Sequence, residues 1–95
     1  MIKDGEVRLT QYLRPHGIPR KVIATIDSKH ADLAKSYSLA CEDLGNGMIA
    51  IYGRLPYETE ETELTEIAEN GPGNNTPNDA LIRLIDRLVS RDKIR

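Results

Sequence analysis

The side chains of this chain that could act as ligands or nucleophiles are few. His16, His30 and Cys41 are the only soft ligands, and their spacings match no zinc pattern. Cys41 alternates with positions expected to be buried, so it reads as a small core residue rather than a nucleophile. Asp27 stands just ahead of His30, at the separation of a helix cap from its first turn, and capping accounts for the pair better than an acid–base dyad. No serine lies in a nucleophile-elbow context. With no acid, base and nucleophile converging, the expectation is a non-enzyme with no catalytic residue, metal or cofactor.

Charge offers more. Arg14-Pro15-His16-Gly17-Ile18-Pro19-Arg20-Lys21 gathers Arg14, Arg20, Lys21 and His16 at one turn. Such a tip can straddle phosphates through salt-dependent, sequence-independent contacts. It also suits a protein partner, or plain solvation of a loop stiffened by two prolines. Arg83, Arg87 and Arg91 recur every fourth residue, forming a ridge that is either a second basic surface or a soluble outer face.

The acidic run Glu58, Glu60, Glu61, Glu63, Glu66 and Glu69 could imitate the charge spacing of a nucleic acid, although a solvated face explains it more simply. Tyr12 and Tyr52 lie on the polar side of their strands, where tyrosines stack bases on an open sheet or line a dimer contact. Asn70-Gly71-Pro72-Gly73-Asn74-Asn75-Thr76 runs into a helix start, but it lacks the lysine of a phosphate-binding loop. It reads as a turn and a cap.

The elements that must position these groups fit within one domain, residues 1–95. A hydrophobic fraction of 39% and a charged fraction of 29% are those of a globular chain. The aromatics are four tyrosines, so the core must be Ile, Leu, Val and Ala. The net charge of −2 decides nothing about a polyanionic partner. Its distribution is uneven: residues 57–79 carry seven acidic side chains and no basic one, and the last sixteen carry five basic against two acidic. A lone cysteine, a charged N-terminal segment and no run of about 20 apolar residues point to the cytoplasm, away from the membrane.

Residues 6–13 alternate, with Val7, Leu9 and Leu13 on one side, and Lys21–Ile26 resumes as a second strand of the same hairpin. Asp27 or Ser28 caps a short helix carrying Ala31, Ala34 and Tyr37. Leu39–Leu44 and Met48–Leu55 flank Gly45-Asn46-Gly47, residues that tolerate the positive φ of a tight hairpin. Residues 58–69 read as a short helix through Leu64, Ile67 and Ala68, with Thr62, Thr65 and Ile67 also suited to an edge strand. Thr76, Pro77 and Asp79 open the last helix, whose Leu81, Leu84, Ile85 and Leu88 form an apolar stripe widened by Ile82 and Val89. The expectation is an α+β fold: an antiparallel four-stranded sheet of two hairpins with two or three helices, in the order ββαββ(α)α.

Leu9-Thr10-Gln11-Tyr12-Leu13-Arg14-Pro15-His16-Gly17 and Asn70-Gly71-Pro72-Gly73, followed by a proline-started helix, together resemble small uncharacterised proteins of bacteriophage and prophage genomes. The resemblance implies a phage or bacterial origin and a cytoplasmic setting, and it carries no activity with it. The function expected is a non-enzymatic interaction or regulatory accessory module that binds another protein or itself. The alternative is a weak nucleic-acid binder using residues 14–21 and the arginine ridge. Self-association follows from the small core and the broad stripe of the last helix.

Overall fold

The computed structural model describes residues 4–12, 19–59, 62–69 and 75–94. Strand β1 (Asp4–Tyr12) runs antiparallel to β2 (Arg20–Asp27), and the register Val7↔Ala24 and Leu9↔Val22 places one apolar row against the other. The side-chain period of two does this: Val7, Leu9 and Ile26 are buried while Glu6, Arg8, Lys21 and Thr25 stay exposed on the opposite face.

Helix α1 (Ser28–Ala34) starts at Asp27, whose carboxylate accepts the His30 amide at 2.9 Å. It crosses beneath the first residues of β1, where a Cβ on Gly5 would lie 2.6 Å from Ala31 Cβ. Only a glycine admits so close a helix. The chain then enters β3 (Ser38–Gly45) and returns along β4 (Met48–Arg54). Gly45, Asn46 and Gly47 between them take φ of 82°, 55° and 76°, as expected of those residue types.

The sheet differs from the expected one. It has five strands in the order β2-β1-β3-β4-β5, and it is mixed, because β1 and β3 run parallel. The described residues hold two helices, where two or three were expected, and the order is ββαβββα in place of ββαββ(α)α. The parallel seam arises because β2 ends where β1 begins, at Asp27 beside Asp4. The short α1 carries the chain under β1 to its far side, where β3 joins at Thr10↔Ala40 and climbs in the direction of β1.

Residues 64–69 are strand β5 (Leu64–Glu69) rather than the expected helix. Alternation decides it once β4 is beside them. Leu64, Glu66 and Ala68 turn toward the helices opposite Gly53, Ile51 and Ile49, and Thr65 and Ile67 turn away. Glutamates up to Glu69 would also have opposed a helix C-terminus, and a strand carries no such dipole penalty.

Helix α2 (Pro77–Lys93) begins as expected: Thr76 Oγ1 accepts the Asp79 amide and proline holds the first turn. Its Leu81, Leu84, Ile85 and Leu88 are fully buried. They lie in one core with Leu39, Cys41, Ile51 and Ala68, and each buried leucine or isoleucine contributes about 1.5–3 kcal/mol. Ile82 and Val89, the flanks of the stripe, are half-buried against that core. Both helices thus lie on one face of the sheet. No helix among the described residues is long and apolar enough to cross a membrane.

Candidate functional site

The arginine ridge and the acidic run meet each other. Glu66, on the helix side of β5, accepts Arg83 Nε at 3.1 Å through one oxygen and Arg87 Nη1 at 2.6 Å through the other. Arg91 donates to Glu58 Oε2 through Nε at 2.9 Å and Nη2 at 2.6 Å. The Glu58 side chain is only 6% exposed. Burial acts to raise both carboxyls, but hydrogen bonds from the arginines, the Leu55 amide at Glu58, and the guanidinium charges outweigh it and hold both below the ordinary glutamate value. Arg83, Arg87 and Arg91, expected as partner contacts, therefore spend donors on their own chain.

These pairs reach the edge of the sheet. The Thr65 carbonyl accepts Arg87 Nη1 at 3.0 Å, and the Ile67 carbonyl accepts Asn75 Nδ2 at 3.0 Å. The Glu69 amide donates to the Asn75 carbonyl at 2.9 Å. Asn75 is itself held, since Arg83 Nη2 donates to its Oδ1 at 2.6 Å. Residues 65, 67 and 69 have one direction on β5, the side away from β4. Three outward groups of the β5 edge are thus held by its own chain, a protection against stray strand pairing.

The other edge, β2, is held in this way at one described point. Asn78 Nδ2 donates to the Thr25 carbonyl at 3.1 Å from outside the β1–β2 ladder, so residues 21, 23 and 25 turn their backbone groups away from β1. Among the described residues, none bonds the outward backbone groups of Lys21 or Ile23. The Ile23 side chain is 57% exposed, a large apolar group on a sheet rim. Beneath the rim lies an apolar hollow of about 240 Å³ between Val22, Leu9 and Ile49 on the strands and Pro77 and Leu81 on α2. Arg20 and Lys21 stand at the start of this edge, donating to Gln11 Oε1 at 3.1 Å and Thr10 Oγ1 at 2.9 Å across the hairpin. Arg14 and His16, the other expected contacts of this tip, lie outside the described residues.

The helix-free face carries both tyrosines singled out from the sequence. The registers Tyr12↔Glu42 and Ala40↔Tyr52 put Tyr12 and Tyr52 on either side of β3, staggered by two residues along it. They border a polar hollow of about 320 Å³ with Arg54 and Glu63. Tyr52 donates to Glu42 Oε1 at 2.9 Å. Tyr12 is 47% exposed. Arg8, Lys21 and Arg54 share the face with Glu6, Glu42 and Glu69, so its charge is mixed.

His30 joins the two helices. Its Nδ1 lies 2.8 Å from Asp27 Oδ2, and its Nε2 lies 2.9 Å from Asp86 Oδ1 on α2. Burial acts to lower the imidazole, but the two carboxylates outweigh it and hold it above the ordinary histidine value. The sequence showed the cap and not Asp86, which is 56 residues away. Cys41 is buried, and burial pushes its thiol up, toward the unreactive protonated form. Nor was a signal visible for Asn75 and Asn78, whose amides matter only because of the strands they reach.

Compared with protein-family models, curated proteins and solved structures, the chain matches none.

Proposed function

We propose that the protein is a non-enzymatic interaction module that receives its partner by strand addition along β2. The contrast between the two sheet edges carries this reading. At β5, Arg87 and Asn75 hold the outward Thr65 and Ile67 carbonyls and the Asn75 carbonyl holds the Glu69 amide. At β2, Asn78 holds the Thr25 carbonyl alone, and no described residue bonds the outward groups of Lys21 and Ile23, beside an exposed isoleucine. An open edge supplies affinity through main-chain hydrogen bonds and specificity through alternate side chains. The setting proposed is the cytoplasm of a bacterial or phage-infected cell, following the resemblance of residues 9–17 and 70–73.

Ile23→Pro tests the edge. Proline removes the outward amide, and an edge strand tolerates it there. Tagged wild type and Ile23→Pro are to be compared in pull-downs from bacterial lysate treated with nuclease. With the untagged chain added to the lysate, the expected result is a bound protein, whether that untagged copy or another chain, that is retained by the wild type and lost with Ile23→Pro. A bound set that the substitution leaves unchanged refutes strand addition at β2.

A second reading, weak binding of single-stranded nucleic acid, draws on Tyr12 and Tyr52 sharing the helix-free face with Lys21 and Arg54. Aromatic platforms flanked by cations stack bases. The mixed charge of that face places this reading second. Fluorescence anisotropy with a single-stranded oligonucleotide at low salt checks it, and no binding by the wild type ends it. If binding is seen, Arg14, Arg20 and Lys21 changed together to Glu should abolish it.

A further inference from the structure

Resting on that reading of the β2 edge, we infer that its occupant is a second copy of the chain, paired antiparallel about a two-fold axis at Ile23. The outward backbone groups belong to residues 21, 23 and 25, with Ile23 in the middle. Reversal about Ile23 therefore sets each outward residue against another: Ile23 against Ile23 of the second copy, and Lys21 against its Thr25. These are the pairs that exchange both main-chain hydrogen bonds in an antiparallel ladder. The Thr25 carbonyl, which already accepts from Asn78, keeps a second lone pair for the incoming Lys21 amide.

The side chains agree with this register. On the helix-free face an apolar pair sits on the axis, and each Lys21 meets a threonine rather than a like charge. On the helix side Val22 meets Ala24 of the second copy. Both are half-buried residues packed against the core, so the apolar layer continues across the join. The closed β5 edge decides the form of the assembly. With the Thr65 and Ile67 carbonyls and the Glu69 amide bonded internally, β5 is a poorer match than a second β2 for the β2 edge of a further copy. Pairing is then isologous and stops at a dimer with one ten-stranded sheet, where two open edges would have allowed a filament.

A charge swap at the axis tests the register. Sedimentation equilibrium is to be run on the wild type, on Ile23→Lys, on Ile23→Glu, and on an equimolar mixture of the two variants. Circular dichroism confirms that each is folded, as expected at a rim position. The wild type should approach twice 10.6 kDa. Each variant alone sets like charges opposite each other and should associate on the order of tenfold more weakly. The mixture should regain the dimer, because residue 23 then meets its opposite charge. A wild type that stays monomeric at high concentration overturns the second copy. Ile23→Pro pull-downs judge strand addition separately, since they need no self-association. A wild-type dimer unaffected by either charge, or a mixture that stays monomeric, overturns the axis at Ile23.

Discussion

Gly53 of β4 lies directly under Leu88 of α2, so closely that a Cβ on the glycine would sit 2.8 Å from Leu88 Cδ1. Leu39 Cδ2 and Leu84 Cδ2 would stand 3.0 and 3.1 Å away. Three leucine tips of a filled core close over one missing side chain, and this sets how deeply α2 seats on the sheet.

Gly53→Ala should therefore destabilise the fold by about 1–3 kcal/mol, the usual cost of overpacking a filled core, and Gly53→Val by more. Urea denaturation followed by circular dichroism measures it. An Ala variant as stable as the wild type would show that the leucine tips relax freely.

Acid should loosen the clamps between α2 and the segment carrying β5. Glu58 and Glu66 have folded values below their ordinary 4.5. Their contribution is present above the unfolded value and is lost as pH falls through the folded one. Thermal melts from pH 7 to 3 should show the wild type falling more steeply below about pH 4.5 than a Glu58→Gln, Glu66→Gln double variant. Parallel curves would mean these carboxyls are not held down.

His30 acts in the opposite direction. Its folded value lies above 6.5, so its stabilisation is fully present below the unfolded value and disappears as pH rises through the folded one. Asp86→Asn removes one partner. The melting difference between wild type and Asp86→Asn should be larger at pH 5.5 than at pH 8.5, both about a unit or more from the unfolded midpoint. Equal differences at both values would separate Asp86 from the imidazole charge.

Opening the protected edge should change assembly. Arg87→Ala with Asn75→Ala strips the Thr65 and Ile67 carbonyls of their partners. Light scattering should then report species larger than those of the wild type, growing with concentration. An unchanged size distribution would show that β5 needs no such protection.

Cys41 should react slowly. Its thiol is buried and shifted toward the protonated form, so a thiol reagent should modify it only as fast as the domain opens, and rapidly in urea. Fast labelling in native buffer would contradict its place in the core.

Several features follow from local rules. Thr76, Pro77 and Asp79 cap α2 with contacts inside one turn, and Leu81, Leu84, Ile85 and Leu88 form its buried stripe by period alone. The turn at Gly45-Asn46-Gly47 needs residues that accept positive φ, and they are there. The buried rows of β1 and β2, and hence an α+β domain, are likewise carried by alternation. Residues 64–69 were ambiguous because Leu64, Ile67 and Ala68 satisfy a helix while Thr65 and Ile67 suit a strand. Only the register with β4 separated the two.

What the chain could not show by itself depends on residues distant in sequence. The parallel join of β1 and β3 depends on where α1 lands. The acidic run and the arginine ridge look like two solvated faces until Glu66 meets Arg87, 21 residues on, and Glu58 meets Arg91, 33 residues on. Which sheet edge is closed and which is open belongs to the same class. It turns on how many outward groups are reached from elsewhere: Arg87 and Asn75 hold two carbonyls and an amide at β5, and Asn78 holds one carbonyl at β2. Periodicity and capping act within a few residues of one another, so the sequence alone determined α1, α2, the turn at 45–47 and the buried faces of β1 and β2. Edge protection and charge pairing come from loop closure across tens of residues, so the tertiary structure decided them.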